Sequence, residues 1–516
     1  MKMHAAGLAG LMLVAGLQGQ ARAEETVLRV SSGASNVSTL DAHRASATDD
    51  KALVGWLYNG LVRFKPGSAD PKDLEPDLAE RWETSPDGKV WTFHLRKGVK
   101  FHGGWGTLAA DDVVYSLQRA GDPKRSTFSS DFSAIDKVEK VDDLIVRVTL
   151  KYPDVNFLGR VSNYHGGNIV SRKAGEELGD RYGAQPVGTG PFTFVEQVTQ
   201  QYVKLAANPD YFRGKPKIDT IMMRAIPSDS ARELAFTSGE LDLFYAKREQ
   251  RWVDAARRRP GFNVEIFQPG EYRLLHINRS QPPLDDIRVR RAIAAAVNVD
   301  DLVRFVGKDV GPKGCSIVPP GYLGEDCSIR YGFDLAKAKA LLAEAGHKDG
   351  ITIKAIVSNI SAQQPFMEII QAQLAKAGIK LEMQVVDHAT YQSQSRKDLS
   401  GLVFYGAARF PIADTYLSEF FHSRATVGTP TAATNFSHCA GADKEIEEAR
   451  VAPSAEAKKA LWKEAQRKIM DDVCAIPLFE LRQVWARSDK LDFGYELKGA
   501  LNLAPPITEK TTLKAR

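Results

Sequence analysis

Residues 77–120 read DLAERWETSPDGKVWTFHLRKGVKFHGGWGTLAADDVVYSLQRA, and this stretch decides the fold. Its first half predicts a hairpin, because Ser85-Pro86-Asp87-Gly88 combines a proline-fixed φ with a glycine at the reversal. The apolar residues of the two flanking strands alternate: Trp82, Val90, Trp91, Phe93, Leu95, Val99 and Phe101. A helix follows, with Asp111 or Asp112 at its N-cap. Nothing in this stretch is typical of a catalytic site.

Five segments, in the same order, resemble those of the family 5 solute-binding proteins, the extracytoplasmic receptors of peptide, nickel and opine ABC importers. The first is the hairpin and helix above, with an acidic-Trp strand, a D-G turn, a Phe-x-Leu-Arg strand and an Ala-x-Asp-Val helix. The other four are Val187–Phe192 (G-T-G-P-aromatic), Asn208–Phe212 (N-x-x-Y-aromatic), Asp286–Ala296 (D-x-R-V-R-x-A-I) and Ala338–Gly346 (A-x-x-L-L-x-x-A-G). The resemblance covers nearly all of the chain beyond residue 23.

The resemblance implies an α/β fold of two lobes, the periplasmic-binding-protein fold of class II and cluster C type, with mixed sheets. Lobe I is expected to combine residues 24–277 with residues 487–516, and to carry an extra subdomain at about 61–185. Lobe II is expected to span residues 278–486. The chain crosses between the lobes twice.

Length and local patterns agree with this expectation. A chain of 516 residues exceeds what one hydrophobic core usually supports. Ile351–Val357 and Ile379–Val386 alternate as strands, and Phe366–Ala377 between them has helical spacing, so these segments predict a parallel βαβ unit. Leu274–Asn278 is a further predicted strand.

The resemblance also implies how the protein works. Such a receptor holds a small-molecule or short-peptide ligand between its lobes, closes about a hinge, and presents the closed form to an ABC permease in the inner membrane. It needs no cofactor and no metal, and we expect a monomer.

The N-terminus has the features of a cleavable signal peptide, residues 1–23. Lys2 precedes an apolar run at residues 5–17, and Ala21-Arg22-Ala23 supplies the small-x-small cleavage sequence. The run is shorter than the roughly 20 apolar residues that span a bilayer. We therefore expect a periplasmic protein whose mature chain starts at about Glu24, with an uncleaved membrane anchor as the alternative.

The charge of the chain does not indicate a nucleic-acid partner. Removal of Lys2 and Arg22 with the signal peptide lowers the formal charge from +5 to +3. The densest basic run, Arg257-Arg258-Arg259, precedes Pro260 and is typical of a solvated helix end.

Four cysteines lie in the second half of the chain: Cys315, Cys327, Cys439 and Cys474. An even number in an oxidising compartment favours disulfides. Cys315 and Cys327 bracket a Pro-Pro-Gly loop that a disulfide can close, which leaves Cys439 with Cys474; free buried thiols are the alternative. No C-x-x-C and no histidine at zinc-finger spacing is present, so we expect no structural metal.

The sequence lacks the common catalytic motifs, since G-x-x-x-x-G-K-[ST], H-E-x-x-H and G-x-S-x-G are all missing. Asp111-Asp112 and Asp285-Asp286 are paired acids, but each pair opens a predicted helix, where carboxylates favour the positive end of the dipole. We expect no enzyme. A periplasmic hydrolase, or a signalling or chaperone role on the same scaffold, is the alternative.

One further family segment indicates the ligand pocket. Peptide-binding members have roughly G-W-x-x-D-Y-x-D-P-x-x-F-L, in which the first Asp holds the peptide's ammonium group. Residues 405–417 here read YGAARFPIADTYL. With Tyr416-Leu417 placed on F-L, Arg409 takes the position of that Asp and Gly406 takes that of the Trp.

The reversed charge changes the expected ligand. Arg409 repels an ammonium group, whereas a carboxylate or phosphate accepts its two parallel donors. We therefore expect an anionic amino-acid derivative such as an opine, or a peptide bound in a different polarity. The alternative is that Arg409 faces solvent or pairs with Asp414 or Glu419.

Four further residues are candidates for ligand contact. The resemblance places Ala47 and Thr48 in a loop that offers backbone and hydroxyl groups to the ligand; capping of the next helix by Thr48 or Asp49 is the alternative. Tyr405 replaces the missing Trp as an aromatic wall, unless it belongs to the core. Asp414 is expected to balance the arginine or to contact the ligand.

Overall fold

The fold is described from a computed structural model, which covers residues 25–34, 36–154, 156–428 and 434–514, the side chain of Thr48 excepted. The predicted signal peptide, residues 1–23, and the predicted mature start at Glu24 lie outside these residues. Within the described part of the chain, every helix is too short or too polar to serve as a membrane span.

Strands and helices alternate along the described chain. The strands are β1 (Val27–Ser31), β2 (Val62–Phe64), β3 (Leu74–Pro76), β4 (Ala79–Thr84), β5 (Val90–Leu95), β6 (Ile135–Asp142), β7 (Ile145–Leu150), β8 (Phe192–Val198), β9 (Tyr202–Ala207), β10 (Thr220–Arg224), β11 (Leu243–Tyr245), β12 (Asn263–Ile277), β13 (Ile351–Ser358), β14 (Ile379–Val386), β15 (Leu402–Ala407), β16 (Ala475–Arg487), β17 (Leu491–Asp492) and β18 (Thr512–Leu513). The helices are α1 (Thr48–Leu57), α2 (Ala110–Gly121), α3 (Phe157–Arg160), α4 (Arg172–Leu178), α5 (Asp229–Thr237), α6 (Gln250–Ala256), α7 (Ile287–Ala296), α8 (Val299–Val306), α9 (Leu335–Glu344), α10 (Gln364–Lys376), α11 (His388–Arg396), α12 (Ala413–Phe420), α13 (Asp443–Val451) and α14 (Ala455–Asp471).

An eight-stranded mixed sheet connects the two lobes, in the order β15-β12-β16-β11-β1-β10-β9-β8. Strand β1 is parallel to β10 and β11, and the other neighbours are antiparallel. The long strands β12 and β16 pair with one another along most of their length. Their pairing is interrupted between Phe267 and Glu271, where Gly270 packs against Leu481 too closely to admit a side chain.

Each lobe has its own buried core. The core of lobe I joins both ends of the chain, since Leu28 and Leu57 pack with Trp485 and Ile507. A second core, in lobe II, is built around α7, α10, β13 and β14, and a third lies under α12 and α14. This two-lobed α/β arrangement of mixed sheets confirms the fold class predicted from the sequence. The residue limits of the lobes stay a prediction.

The hairpin of residues 77–120 forms as predicted, but two details of the prediction are wrong. Strands β4 and β5 pair in a four-stranded sheet of order β4-β5-β7-β6, and Gly88 turns the chain with φ 68°. Val99 and Phe101 lie outside β5, because Gly98, with φ 80°, turns the chain away after Leu95.

The N-cap of α2 is Ala109, so neither Asp111 nor Asp112 holds that position. Both acids lie in the first turn. The Asp112 carboxylate accepts hydrogen bonds from the backbone N–H groups of Ala109 and Arg172, each at 2.9 Å. It therefore stabilises the helix start from inside the helix.

The predicted βαβ unit is present as β13, α10 and β14. The two strands are parallel along their whole length, from Ile351 opposite Ile379 to Ser358 opposite Val386.

Two disulfides fasten lobe II. Cys315 is bonded to Cys327 across the Pro-Pro-Gly loop, and Cys439 is bonded to Cys474, which precedes β16. The carboxylates of Glu325 and Asp472 lie close to these sulfurs. Disulfide sulfurs are not thiolates, so the two groups do not form metal sites.

Candidate ligand-binding site

Arg409 lies on the loop between β15 and α12, where lobe II faces lobe I. Its Nε donates to Glu419 at 2.5 Å and its Nη1 donates to the carbonyl oxygen of Ala408 at 3.1 Å. The side chain is 27% exposed, and Nη2 has no hydrogen-bond partner among the described residues. Glu419 is thus the partner of Arg409, one of the alternatives considered from the sequence, and a donor remains free for a ligand.

A cavity beside Arg409 is lined by both lobes. Lobe I contributes Asp131, Tyr164 and His165, and lobe II contributes Arg409 and Glu419 among others. The rings of Tyr164 and His165 stack with 3.6 Å between their centroids. Burial raises the pKa of Asp131, although nearby arginines act in the opposite direction. The cavity therefore presents charges of both signs at the junction of the lobes.

Lys51 brings a second cation to this region from lobe I. It lies in α1, is half-buried, and forms no ion pair or side-chain hydrogen bond with any residue that the structure describes. Burial, with a further contribution from Arg409, lowers the pKa of Lys51 to about 8, while Glu419 acts to raise it. Two cations from different lobes thus influence one another, and an anion between them relieves their repulsion.

Asp414 is not the hydrogen-bond partner of Arg409, and Tyr405 packs against other aromatic side chains. The Asp414 carboxylate lies 3.6 Å from Nε of Arg450, and burial raises its pKa. The Tyr405 ring packs against Phe436 with 4.9 Å between centroids, and its hydroxyl accepts from Nη2 of Arg396 at 3.4 Å. Whether either residue contacts the ligand stays a prediction.

Ala47 and Thr48 form the start of α1. Ala47 is the N-cap, and its carbonyl accepts from the N–H of Lys51 at 3.0 Å. Thr48 is the first helical residue, and its side chain is outside the described part. Burial raises the pKa of the next residue, Asp49, although hydrogen bonds from Ser32 and Ala34 act to lower it. The helix therefore begins without a capping side chain on Ala47, and the role of the loop in ligand binding stays a prediction.

A second charged cluster lies where lobe I meets the crossing strand β12. Glu271 accepts from Nη1 of Arg248 at 2.8 Å and from Nη2 of Arg273 in a shorter contact. Arg248 follows β11 in lobe I, whereas Glu271 and Arg273 are on β12. Burial acts against the charged form of Glu271, but the two guanidinium groups hold its pKa at about 2. The Glu271 carboxylate is therefore ionised near neutral pH.

Sequence reasoning missed Lys51, Arg248, Glu271 and Arg273. Strand β12 carried a usable signal, since Glu271 and Arg273 are two residues apart and share one face of a largely apolar strand. Charged residues are rarely buried unless they are paired, so this pattern indicates a buried charge cluster. Lys51 and Arg248 gave no such signal, because their neighbours come from distant segments of the chain.

Comparison with known proteins agrees with this geometry. Residues 73–428 match the sequence model of the bacterial extracellular solute-binding proteins, family 5 (middle region). Di/tripeptide-binding protein 2 of Pseudomonas aeruginosa strain UCBPP-PA14 is 31% identical over 454 residues, which cover 82% of this chain and 83% of that protein.

Two solved structures share the whole fold. MoaA from A. tumefaciens R10, in complex with mannopinic acid, superposes with a TM-score of 0.88 and 46% identity, over 95% of this chain and 100% of that one. The ABC transporter-associated periplasmic binding protein DppA from Helicobacter pylori, in complex with the peptide STSA, has a TM-score of 0.81 and 28% identity, over 95% and 98% of the two chains.

Two lobes with a charged site between them define a solute-binding receptor of the kind that serves ABC importers. The chain belongs to the bacterial extracellular solute-binding proteins, family 5. The family and the receptor function predicted from the sequence are confirmed at that level, and the characterised members of the family are binding proteins.

Proposed function

We propose that this protein is a periplasmic receptor that delivers an anionic amino-acid derivative of the opine type to an ABC permease in the inner membrane. It is exported by the signal peptide at residues 1–23 and acts as a monomer. Lobe I, residues 24–277 with 487–516, and lobe II, residues 278–486, close around the ligand and release it unchanged. The observation that carries the proposal is the pair of cations, Lys51 from lobe I and Arg409 from lobe II: Arg409 lines the cavity and acts on the charge of Lys51.

The cation pair couples ligand binding to closure. Arg409 acts against the charged form of Lys51, so the two cations repel each other, although Glu419 offsets part of this repulsion. A ligand carboxylate placed between Lys51 and Arg409 replaces this repulsion with two attractions. It also accepts a hydrogen bond from the free Nη2 of Arg409. Because the two cations belong to different lobes, the anion favours the closed form over the open form.

The relatives support this ligand class. MoaA, whose structure holds mannopinic acid, is 46% identical to this chain, whereas the peptide receptors are 31% and 28% identical. A short peptide is the second candidate, because Asp131 and Glu419 line the same cavity and a carboxylate there suits an ammonium group.

Binding without chemistry is favoured because the acids nearest the cavity are held by arginines. Glu419 is paired with Arg409, and Asp414 lies beside Arg450. Asp131, the third acid, lies 3.5 Å from Nη1 of Arg160 and 3.9 Å from Nδ1 of His165. No serine or cysteine is among the residues that line this cavity, so the described site does not favour a hydrolase.

The proposal is tested by calorimetric titration of the purified receptor with mannopinic acid and, separately, with the peptide STSA. Mannopinic acid is expected to bind at one molecule per receptor and to be recovered with unchanged mass. Arg409→Gln is expected to weaken binding 30- to 100-fold, because a charge-assisted hydrogen bond contributes about 2–3 kcal/mol.

Arg304→Gln is the matched control. Arg304 is 74% exposed on α8 and is paired only with its helix neighbour Asp301, so its loss is expected to leave the affinity unchanged. Tight binding of STSA without measurable binding of mannopinic acid overturns the anionic ligand but keeps the receptor function. A change in ligand mass during incubation overturns the receptor function itself.

A further inference from the structure

The cluster of Arg248, Glu271 and Arg273 contains one donor that the protein does not use. Arg273 is nearly buried, with 6% of its side chain exposed, and its Nη2 donates to Glu271. The adjacent Nε is buried and has no hydrogen-bond partner. A buried donor without a partner is unfavourable, so an acceptor from outside the protein is favoured at this position.

Gly406 provides the space in which this arginine lies. Gly406 is directly opposite Arg273 in the pairing of β12 with β15. A Cβ at this position would stand 2.5 Å from both Cδ and Nη1 of Arg273. The guanidinium group therefore covers the strand where the family's peptide-binding members have a tryptophan. At Gly406, the wall of the site on β15 is therefore polar and cationic.

We propose that Arg273, together with Glu271 and Arg248, binds a hydroxyl-rich, uncharged part of the ligand. The inference rests on the proposed function, in which Arg409 and Lys51 hold the ligand's carboxylate, and it assigns the other part of the same ligand. One hydroxyl of a vicinal pair on the ligand accepts a hydrogen bond from Nε of Arg273 and donates one to the neighbouring Glu271 carboxylate. The next hydroxyl along the ligand is within reach of Arg248, which is itself hydrogen-bonded to the Glu271 carboxylate.

The arrangement of donors and acceptors selects a hydroxyl group over a charged one. Glu271 is held by two guanidinium groups, at 2.8 Å from Arg248 and closer from Arg273, so it is not easily displaced. A ligand carboxylate at Nε of Arg273 would stand beside the Glu271 carboxylate and be repelled by it. A ligand ammonium group would face two arginines. A hydroxyl group can donate one hydrogen bond and accept another at the same time. It therefore suits a site in which a donor, Nε of Arg273, lies beside an acceptor, the Glu271 carboxylate.

The test uses three acids that share one carboxylate: D-gluconate, hexanoate and the shorter diacid glutarate. Gluconate is rich in hydroxyl groups, hexanoate has the same chain length without them, and glutarate has a second carboxylate. Affinities are measured by calorimetric competition and by the rise in melting temperature. The wild-type protein is expected to bind gluconate at least tenfold more tightly than hexanoate or glutarate.

Variants separate the two ends of the site. Glu271→Gln keeps the shape but weakens the acceptor, and it is expected to reduce the gluconate-to-hexanoate ratio at least fivefold. Arg248→Lys is a second, milder variant that is also expected to reduce the gluconate-to-hexanoate ratio. It replaces Glu271→Gln in the test if that variant does not fold. Arg409→Gln is expected to weaken gluconate and hexanoate equally and so to leave their ratio unchanged.

The outcomes distinguish this inference from the proposed function. Equal affinities for gluconate and hexanoate, with both weakened by Arg409→Gln, overturn the hydroxyl site and leave the anion site standing. Glutarate bound more tightly than gluconate, and strengthened by Glu271→Gln, replaces the hydroxyl site with a second carboxylate site. Binding that Arg409→Gln does not change, for any acid, contradicts the proposed function.

Discussion

Lys51 is a lysine in lobe I without an acidic partner, and the lowered pKa of about 8 follows from its burial and from Arg409. The unperturbed value is 10.5, so burial has moved its titration into the range of ordinary buffers. Below about pH 8 the free receptor carries both cations, and above it the receptor has only Arg409. The affinity for an anion is therefore linked to pH through this one residue.

We expect the affinity for mannopinic acid to fall by up to tenfold per pH unit as the pH rises above about 8. The sign follows from the charged form of Lys51, which attracts the anion and is lost as the pH rises through the pKa of the free receptor. The measurement is a set of calorimetric titrations between pH 6.5 and 9.5.

Lys51→Arg is the control for this pH dependence, because a guanidinium group stays charged throughout the range. The variant is expected to show a flatter profile than the wild-type protein. Parallel profiles for the two proteins would assign the pH dependence to the ligand and remove Lys51 from the site.

The sequence singles out Arg409 as a ligand contact, because a family segment of thirteen residues aligns there without a gap, and this role stays a prediction. It did not predict which acid pairs with Arg409, since Asp414 and Glu419 are both within reach along the chain. The helix α12 decides this: Asp414 lies in its first turn beside Arg450, and Glu419 lies near its end. Side-chain partners across elements depend on helix rotation, which a single sequence leaves open.

At the scale of elements, the two disulfides of lobe II close loops of different length. Cys315 and Cys327 are 12 residues apart, whereas Cys439 and Cys474 are 35 residues apart and tie a loop to the start of the crossing strand β16. Closing a longer loop removes more entropy from the unfolded chain.

We expect Cys439→Ala with Cys474→Ala to lower the free energy of unfolding by about 4 kcal/mol, and Cys315→Ala with Cys327→Ala by about 3 kcal/mol. Urea denaturation of the two double variants and the wild-type protein, monitored by tryptophan fluorescence, measures both values. An effect of the first pair smaller than that of the second would show that loop length does not govern these bonds. A midpoint unchanged by a reducing agent in the wild-type protein would contradict both.

Elements with strong local signals were predictable, and those that depend on distant partners were not. The hairpin at Gly88 and the βαβ unit of β13, α10 and β14 follow from turn residues and periodicity. Strand β12 was predicted only from Leu274 onward, although it begins at Asn263. Pro269 and Gly270 interrupt the strand pattern, and pairing with β16 keeps the backbone extended through them.

For the whole molecule, β12 and β16 are the long paired strands of the central sheet, and their pairing is interrupted at Gly270. The predicted lobe limits put the two crossings at the ends of these strands, near residues 277 and 487. The two strands are the shared elements of the sheet that joins the lobes, and a rotation about them changes the width of the site. The proposed cation pair resists closure until an anion is bound.

We expect the radius of gyration in solution to decrease when saturating mannopinic acid is added, because the ligand contacts both lobes and favours the closed form. Small-angle scattering of the free and bound receptor measures the change. Arg409→Gln at the same ligand concentration is expected to keep the radius of the free form. An unchanged radius in the wild-type protein, with binding shown by calorimetry, would contradict hinge closure.

The central sheet also governs when the protein can fold. Strand β16 lies between β12 and β11, and the segment that follows it completes the core of lobe I through contacts such as Trp56 Nε1 with the carbonyl oxygen of Pro505, 449 residues away. Neither lobe can be finished before the last tenth of the polypeptide is available. Contacts so distant in sequence make folding slow. An emerging polypeptide is therefore expected to complete neither lobe during synthesis, which suits the export that we propose for this protein.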